Sequence, residues 1–327
     1  MHSCTMDSKE QDRLSVRYVK LHFAIEFIED TVLPVYKVSA IRGGMGEMLL
    51  RSHCIRNRNC EQCDFRNECV VQRMMYSKME IQPEFMTSGD SVGYVLECED
   101  YREEFSAGDR LSFQLLLFGK TIVYFSLFLD AFFRLGLWGI GKYGSKFSIV
   151  SIQNTRKEDI LRGNDINLSR YSVQTIEEYV KYRLIQLERE KKEGNELLRF
   201  RFRSPLTLKY QGAFLREFDL GAISKAVLRR IYILDCFEGI DLPLLSGEGL
   251  EIPAIKEERH RNAKIPRYSS RQDSKMVLRG IEGEMITECP GQELLSFLIA
   301  GELIHIGKNT SFGFGRYRLS MQKETDF

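Results

Sequence analysis

Hydrophobic and polar positions alternate from residue 16 to residue 29. Leu21, Phe23, Ile25 and Phe27 fall on one face, and His22, Ala24 and Glu26 on the other. That period of two predicts a half-buried strand. A turn follows Pro34, and Ser39 to His53 reads as a short helix whose start is weakened by Gly43, Gly44 and Gly46. Strand-like runs come near Val92–Cys98 and Leu111–Phe118. A buried helix is expected over Tyr124–Leu135 and a strand over Lys146–Ile152. The order is βαββαβ, the split ferredoxin-like pattern.

The second half repeats it. Leu197–Tyr210 reads as a strand, and Ile223, Val227, Leu228, Ile231 and Leu234 have helical spacing after Asp219. A strand pair is expected around Lys275–Glu288, a helix through Leu294, Leu295, Leu298 and Ile299, and a last strand over Gly313–Met321. The expected fold class is α+β, with two tandem ferredoxin-like (βαββαβ) domains and a cysteine-rich insertion in the first. The expected boundaries are a frayed tail at 1–12, a first domain at 13–154 with its insertion at 54–69, a charged connector at 155–196 and a second domain at 197–327. Within the connector, Thr175–Lys192 reads as a solvated helix with i,i+4 charge pairs. Both halves also carry a glycine-rich turn between helix and strand, at Gly139-Ile-Gly141-Lys142-Tyr143 and at Ile306-Gly307-Lys308 through Gly315-Arg316-Tyr317. We read this as a structural duplication.

Composition narrows the partners. The formal net charge is +1, from 47 Lys and Arg against 46 Asp and Glu. No global field therefore pulls the chain toward nucleic acid or membrane, and any electrostatic footprint is local. The most apolar stretch, Leu115–Leu137, is interrupted by Gly119, Lys120, Asp130 and Arg134, so no membrane span is expected. The polar start of the chain does not read as a signal peptide. A cytoplasmic location is expected, with reduced thiols rather than a disulfide framework.

The local footprint lies toward the C-terminus. In Gly307-Lys308-Asn309-Thr310-Ser311-Phe312-Gly313-Phe314-Gly315 the glycines permit close backbone approach, and consecutive amides are expected to offer an anion site. Lys308 and Arg316 add charge, and Phe312, Phe314 and Tyr317 add stacking faces, a combination suited to single-stranded RNA. The stretch Lys256–Arg279, which includes Arg267 and Arg271, is net basic and suits phosphate contact. The bland alternatives are a tight helix-to-strand connection and a solvated hairpin.

Several segments, in this order, resemble one family. They are Ile41-Arg42-Gly43-Gly44-Met45-Gly46-Glu47-Met48-Leu49-Leu50, the cysteine block after it, Leu117-Phe118-Gly119, Gly139-Ile-Gly141, Arg201-Phe-Arg-Ser-Pro205-Leu206, Arg229-Arg230, Arg267-Tyr-Ser-Ser-Arg271-Gln272 and the Gly307–Gly315 loop. The chain is similar to the CRISPR-associated precursor-crRNA endoribonucleases of the RAMP superfamily, the Cas "six" type. The resemblance implies binding of CRISPR repeat RNA and metal-independent endonucleolytic cleavage, in which a ribose 2′-OH attacks the phosphorus and leaves 2′,3′-cyclic phosphate and 5′-OH ends. A non-cleaving RAMP subunit that grips crRNA in an effector complex is the alternative, with other CRISPR effector subunits as partners. RNA-contact candidates are Arg42, Lys142, Arg267, Arg271, Gly307, Lys308, Gly313, Gly315 and Arg316.

Such a reaction needs a base, an acid and positive charge on the phosphorane. Of five histidines, His53 and His305 are the candidates for proton transfer, each with a packing or helix-end role as its alternative. Tyr36, Lys37 and Lys308 are candidate helpers, since lysine offsets phosphorane charge and tyrosine holds a hydroxyl.

Cys54, Cys60, Cys63 and Cys69 follow the spacing Cys-x5-Cys-x2-Cys-x5-Cys. Four thiolates in a short loop suit a structural metal, with zinc favoured over an iron–sulfur cluster and an empty loop the remaining option. No catalytic metal is expected, because four thiolates leave no open coordination position.

Overall fold

The computed structural model describes residues 13–76, 79, 82–86, 91–191, 197–269 and 274–322. The expected tail at 1–12 lies outside them. The chain divides into two compact units.

The first unit takes in Tyr18–Val173. Its strands are β1 (Arg17–Phe27), β2 (Tyr94–Glu97), β3 (Arg110–Phe118), β4 (Phe147–Gln153), β5 (Asp159–Arg162) and β6 (Asp165–Ile166), in the spatial order β2-β3-β1-β4-β5-β6 with antiparallel neighbours. The four βαββαβ strands thus interleave so that the first lies between the third and the fourth, as the ferredoxin-like pattern requires. Register places Phe23 opposite Phe113 and Ile25 opposite Ile149, with a bulge between Ala24 and Ile25. The alternation of β1 is realised in the structure, with Leu21, Phe23, Ile25 and Phe27 buried. Among the described residues, three α-helices belong to the unit: α1 (Val38–His53), α2 (Val70–Tyr76) and α3 (Phe125–Trp138). The core joins Phe23, Phe113, Phe128 and Phe132 to Met45 and Leu49 of α1 and Met74 of α2. The glycines of α1 do not break it. A Cβ at Gly44 would stand 2.5 Å from Leu135 Cδ1, so glycine there lets α1 and α3 close on each other. Gly119–Trp138 is the described stretch long and apolar enough to cross a membrane. Here it packs Phe128, Phe132 and Leu135 into the core.

The second unit takes in Gln174–Pro266 and Val277–Phe327. It contains α4 (Ile176–Glu190), β7 (Leu197–Phe202), α5 (Leu220–Glu238), most of β8 (Ile255–Ser269) and β9 (Ser274–Glu288), α6 (Gln292–Ile304) and β10 (Tyr317–Gln322). Its sheet runs β8-β9-β7-β10, the same interleaving as in the first unit. Phe200 faces Met285 on one side and Leu319 on the other. Asp219 caps α5 by accepting a hydrogen bond from the Ala222 amide at 2.8 Å.

Residues 155–191, the described part of the expected connector, are not a free linker, which corrects the expected boundaries. Ile160 and Leu161 are buried, and β5 and β6 extend the first sheet. Helix α4 belongs to the second unit. A capping box between Thr175 and Glu178 starts it, and the expected i,i+4 pair occurs between Glu177 and Lys181. It is not solvated all round, however. Ile176, Val180 and Leu187 are buried, and Arg183 is 1% exposed. Arg183 Nε donates to Glu302 Oε2 at 2.9 Å, which ties α4 to α6.

Candidate nucleic-acid interface

The Gly307–Gly315 loop splits into an exposed tip and a buried base. Gly307 and Lys308 are exposed, whereas Gly313, Phe314 and Gly315 are buried. The base spends its amides inside the protein. The Gly315 N–H donates to the Pro205 carbonyl at 2.9 Å, and the Arg316 N–H to Ser204 Oγ at 3.0 Å. The Lys308 N–H donates to the Thr207 carbonyl at 2.8 Å, and Phe312 and Phe314 donate to the Asn309 carbonyl. The expected anion site of open amides is therefore corrected: the Lys308, Gly315 and Arg316 amides bind the segment Ser204–Thr207, and those of Phe312 and Phe314 bind Asn309 within the loop. Phe314 and Tyr317 are core residues rather than stacking faces. Backbone proximity explains the last glycine, because a Cβ on Gly315 would stand 1.8 Å from the Ile306 carbonyl oxygen.

What the tip presents is a lysine over an aromatic ring. Lys308 Nζ lies 5.8 Å from the centroid of Phe214, a residue 56% exposed. Phe214 is on a short hairpin, Lys209–Tyr210 paired with Ala213–Phe214. Its turn residues Gln211 and Gly212 have positive φ, as a two-residue turn demands. On the same hairpin Tyr210 accepts a hydrogen bond from Lys225 Nζ at 3.3 Å. Lys308, Lys209 and Lys225 are exposed and Tyr210 is half-buried. Cations interleaved with aromatic faces are what a single-stranded nucleic acid needs for phosphate contact and base stacking. Phe214, Tyr210 and Lys225 were missed from sequence. The signal was the Tyr210-Gln-Gly-Ala-Phe214 run, a hairpin turn flanked by aromatics with no core periodicity.

The basic stretch forms the hairpin β8–β9. Part of its charge is internally compensated: Arg259 pairs with Glu257, Arg261 with Glu282 and Lys256 with Glu288. The side chain of Arg267, and Arg271 altogether, lie outside the described residues. Arg316 is half-buried behind the loop.

In the first unit, the turn at Gly139–Ser145 exposes Lys142 with its Nζ 5.2 Å from the ring of Tyr143, which is 71% exposed. Arg42 is half-buried on α1 and donates to Ser91 Oγ at 3.0 Å. Its guanidinium also lies 6.0 Å from the Tyr94 ring.

The candidates for chemistry are held in different ways. Lys37 is 1% exposed, and its ammonium donates to the carbonyls of Val35, Asp100 and Arg102. Burial lowers its pKa from the ordinary lysine value. Three backbone acceptors occupy its donors, so Lys37 is a structural cation. This corrects its expected role. Tyr36 is half-buried beside Tyr101, with ring centroids 6.1 Å apart. His305 is fully buried at the C-cap of α6 with φ 58°, and its Nδ1 is 3.0 Å from the Phe314 carbonyl oxygen. That placement fits the packing alternative for His305. His53 ends α1 half-buried, and its Nε2 is buried with no hydrogen-bond partner. His53 and Tyr36 belong to the first unit, His305 and Lys308 to the second.

Comparison with known proteins places these residues in context. Residues 200–317, which include Lys308, Phe214 and the glycine loop, match the model of the family described as CRISPR-associated endoribonuclease Cas6. Residues 15–176 match the model of a family described as an N-terminal domain, AF_1859_N. No curated protein matches by sequence. Among solved structures, the chain is similar to one in a partial Cas6-RT-Cas1–Cas2 complex, with a TM-score of 0.55 and 11% identity over 94% of this chain and 47% of that one. It thus spans about half the length of that similar chain. It is also similar to a Thermus thermophilus Cas6 in a product complex, with a TM-score of 0.50 and 15% identity over 93% of this chain and 100% of that one. At these identities the likeness concerns the fold.

Proposed function

We propose that the chain is a Cas6-type endoribonuclease, which binds CRISPR repeat RNA and cuts it into crRNA. The observation that carries this reading is the Lys308–Phe214 pair at the tip of the glycine loop, inside the segment that matches the Cas6 family. A phosphate beside Lys308 gains charge-assisted contact, while a base on Phe214 gains a stacking face.

Cleavage proceeds without a metal. The ribose 2′-OH attacks the adjacent phosphorus, the 5′-oxygen leaves with a proton, and the products are a 2′,3′-cyclic phosphate and a 5′-OH. Proton transfer falls to one of two residues: His53, which has Tyr36 in the same unit to hold the hydroxyl, or His305, which has Lys308 in its unit to stabilise the phosphorane. Other subunits of a CRISPR assembly are partners under this reading, in line with the complex in which a similar chain was solved.

The non-cleaving alternative has one observation in its favour. His305 is fully buried against the Phe314 carbonyl, which withholds one of the two histidines from a bound ribose. Labelled repeat RNA incubated with the protein in EDTA decides between the readings. A product ending in a cyclic phosphate supports cleavage, and salt-sensitive binding without scission supports the binding subunit. No preference for repeat RNA would overturn both.

A further inference from the structure

The chain has a single tryptophan, Trp138, and it stands in the open. It is the last residue of α3 and is 58% exposed, although few side chains gain more than an indole from burial. Arg51 of α1 stacks on it, with the guanidinium carbon 3.8 Å from the ring centroid. The guanidinium is set from behind. Arg51 Nε donates to Glu47 Oε1 at 2.7 Å, and Arg58 Nη2 donates to the same oxygen at 2.6 Å. One carboxylate thus holds two arginines, whose side chains are 45% and 49% exposed, so positive charge remains beside the ring.

A second ring of the same kind follows directly. Tyr143 is 71% exposed, with Lys142 Nζ 5.2 Å from its centroid. The turn between the two rings is tied by a pair of hydrogen bonds, from the Ile140 N–H to the Ser145 carbonyl at 2.8 Å and from the Ser145 N–H to the Ile140 carbonyl at 2.9 Å. Trp138 and Tyr143 therefore flank one closed turn. Arg134, one helical turn before Trp138, is paired with Asp130 at 2.7 Å and adds no net charge. The loop that opens at Cys54 contributes through Arg58. Its Cys54, Cys60, Cys63 and Cys69 are half-buried, and no three His, Cys, Asp or Glu side chains among the described residues are placed to share a metal.

The placing of the charges chooses the occupant. Here the cations sit at the rings themselves, whereas the centre of a protein–protein interface is depleted of charge, and of lysine in particular. Exposed rings with cations beside them suit single-stranded nucleic acid, base against ring and phosphate against cation. We propose that Trp138 and Tyr143, with Arg51, Arg58 and Lys142, form a second site for single-stranded RNA, carried by the first unit. A base stacks on the open side of the Trp138 indole, opposite Arg51, and the backbone phosphates lie against Arg58 and Lys142. This rests on the reading of the chain as an RNA-binding protein and deepens it. Every base has a face to stack, so the site grips unpaired RNA whatever its sequence.

The sole tryptophan is its own reporter. The full chain is titrated with a short unstructured oligoadenylate while tryptophan emission is recorded, with inorganic polyphosphate and an acidic peptide as comparison probes. Binding of labelled repeat RNA is followed separately by anisotropy. The oligoadenylate is expected to quench the emission saturably and less tightly as salt rises, and the other two probes to leave it nearly unchanged. Arg51→Ala removes the cation and keeps the indole, and should weaken the quenching titration by about fivefold. Should that variant fail to fold, the quenching of the unaltered protein still decides. If repeat RNA binds, three results each overturn this site alone: no quenching by oligoadenylate, equal quenching by polyphosphate, or quenching by the acidic peptide only. Quenching by oligoadenylate with no preference for repeat RNA would keep the site and overturn the repeat-specific function. Failure of both RNAs to bind overturns both.

Discussion

Glu302→Gln is the most demanding test of how the second unit is held together. Glu302 and Arg183 have side chains 1% exposed. Arg183 donates from Nε to Oε2 at 2.9 Å and from Nη2 to Oε1 at 3.2 Å. Tyr179 Oη donates to Oε2 at 3.0 Å, the Leu319 amide donates to Oε1, and the Arg318 guanidinium lies 3.5 Å away. One carboxylate therefore joins α4, α6 and β10. Replacing it with an amide of the same shape keeps the packing but leaves Arg183 buried and uncompensated. Breaking a buried pair on one side costs about 3–5 kcal/mol. At about 2 kcal/mol per molar urea, the unfolding midpoint of this unit should fall by roughly 2 M. Urea titration followed by circular dichroism measures it. The double change Arg183→Met with Glu302→Leu should recover part of the loss, since no buried charge is left uncompensated, although the Tyr179 hydroxyl and the Leu319 amide then lose their acceptor. A midpoint shift below about 0.5 M for Glu302→Gln, or a double variant no better than the single one, would refute the reasoning.

Four further outcomes are expected. Lys308→Ala should weaken binding of repeat RNA and reduce the slope of log affinity against log salt by about one, read from titrations at several salt concentrations; an unchanged slope removes Lys308 from the interface. His53→Ala or His305→Ala should slow cleavage by about 100-fold or more with RNA affinity mostly retained, and normal rates in both would refute the assignment. Gly315→Ala should lower the melting temperature, because φ is 70° there and the new Cβ meets the Ile306 carbonyl; an unchanged temperature contradicts that geometry. Asp235 is fully buried with both carboxylate oxygens unpartnered, and burial pushes its pKa to about 7. A raised pKa means the folded state holds the proton. Its contribution is thus present below about pH 4 and lost as pH rises toward 7. Asp235→Asn should stabilise the protein more at pH 8 than at pH 4, and an equal effect at both would contradict the burial argument.

Much of the fold was legible because local periodicity and strand order agree. The alternation in β1 is the burial pattern itself, and two βαββαβ orders were enough to anticipate two interleaved sheets. The departures have a common cause in partners distant along the chain. Arg183 reads as one charge among many until Glu302 meets it 119 residues later. The amides of the glycine loop read as open until Pro205 and Thr207 accept from them across about a hundred residues. Lys37 looks like a free cation until the carbonyls of Asp100 and Arg102 enclose it. The short helix α2 escaped because seven residues carry too little periodicity to announce themselves.

The duplication now reaches beyond topology to surface chemistry. In each unit the turn after the second helix of the βαββαβ order displays a lysine above an exposed ring: Lys142 with Tyr143, and Lys308 with Phe214. The rings come from different places, one from the turn itself and the other from the Lys209–Phe214 hairpin, so the pairing is not simple sequence repetition. A turn between helix and strand must lie at the rim of its sheet, where long cationic side chains are free of the core. Aromatic rings left exposed there cost apolar surface that burial would otherwise recover. Under the proposed function each pair offers a phosphate contact beside a stacking face, the combination that single-stranded RNA uses.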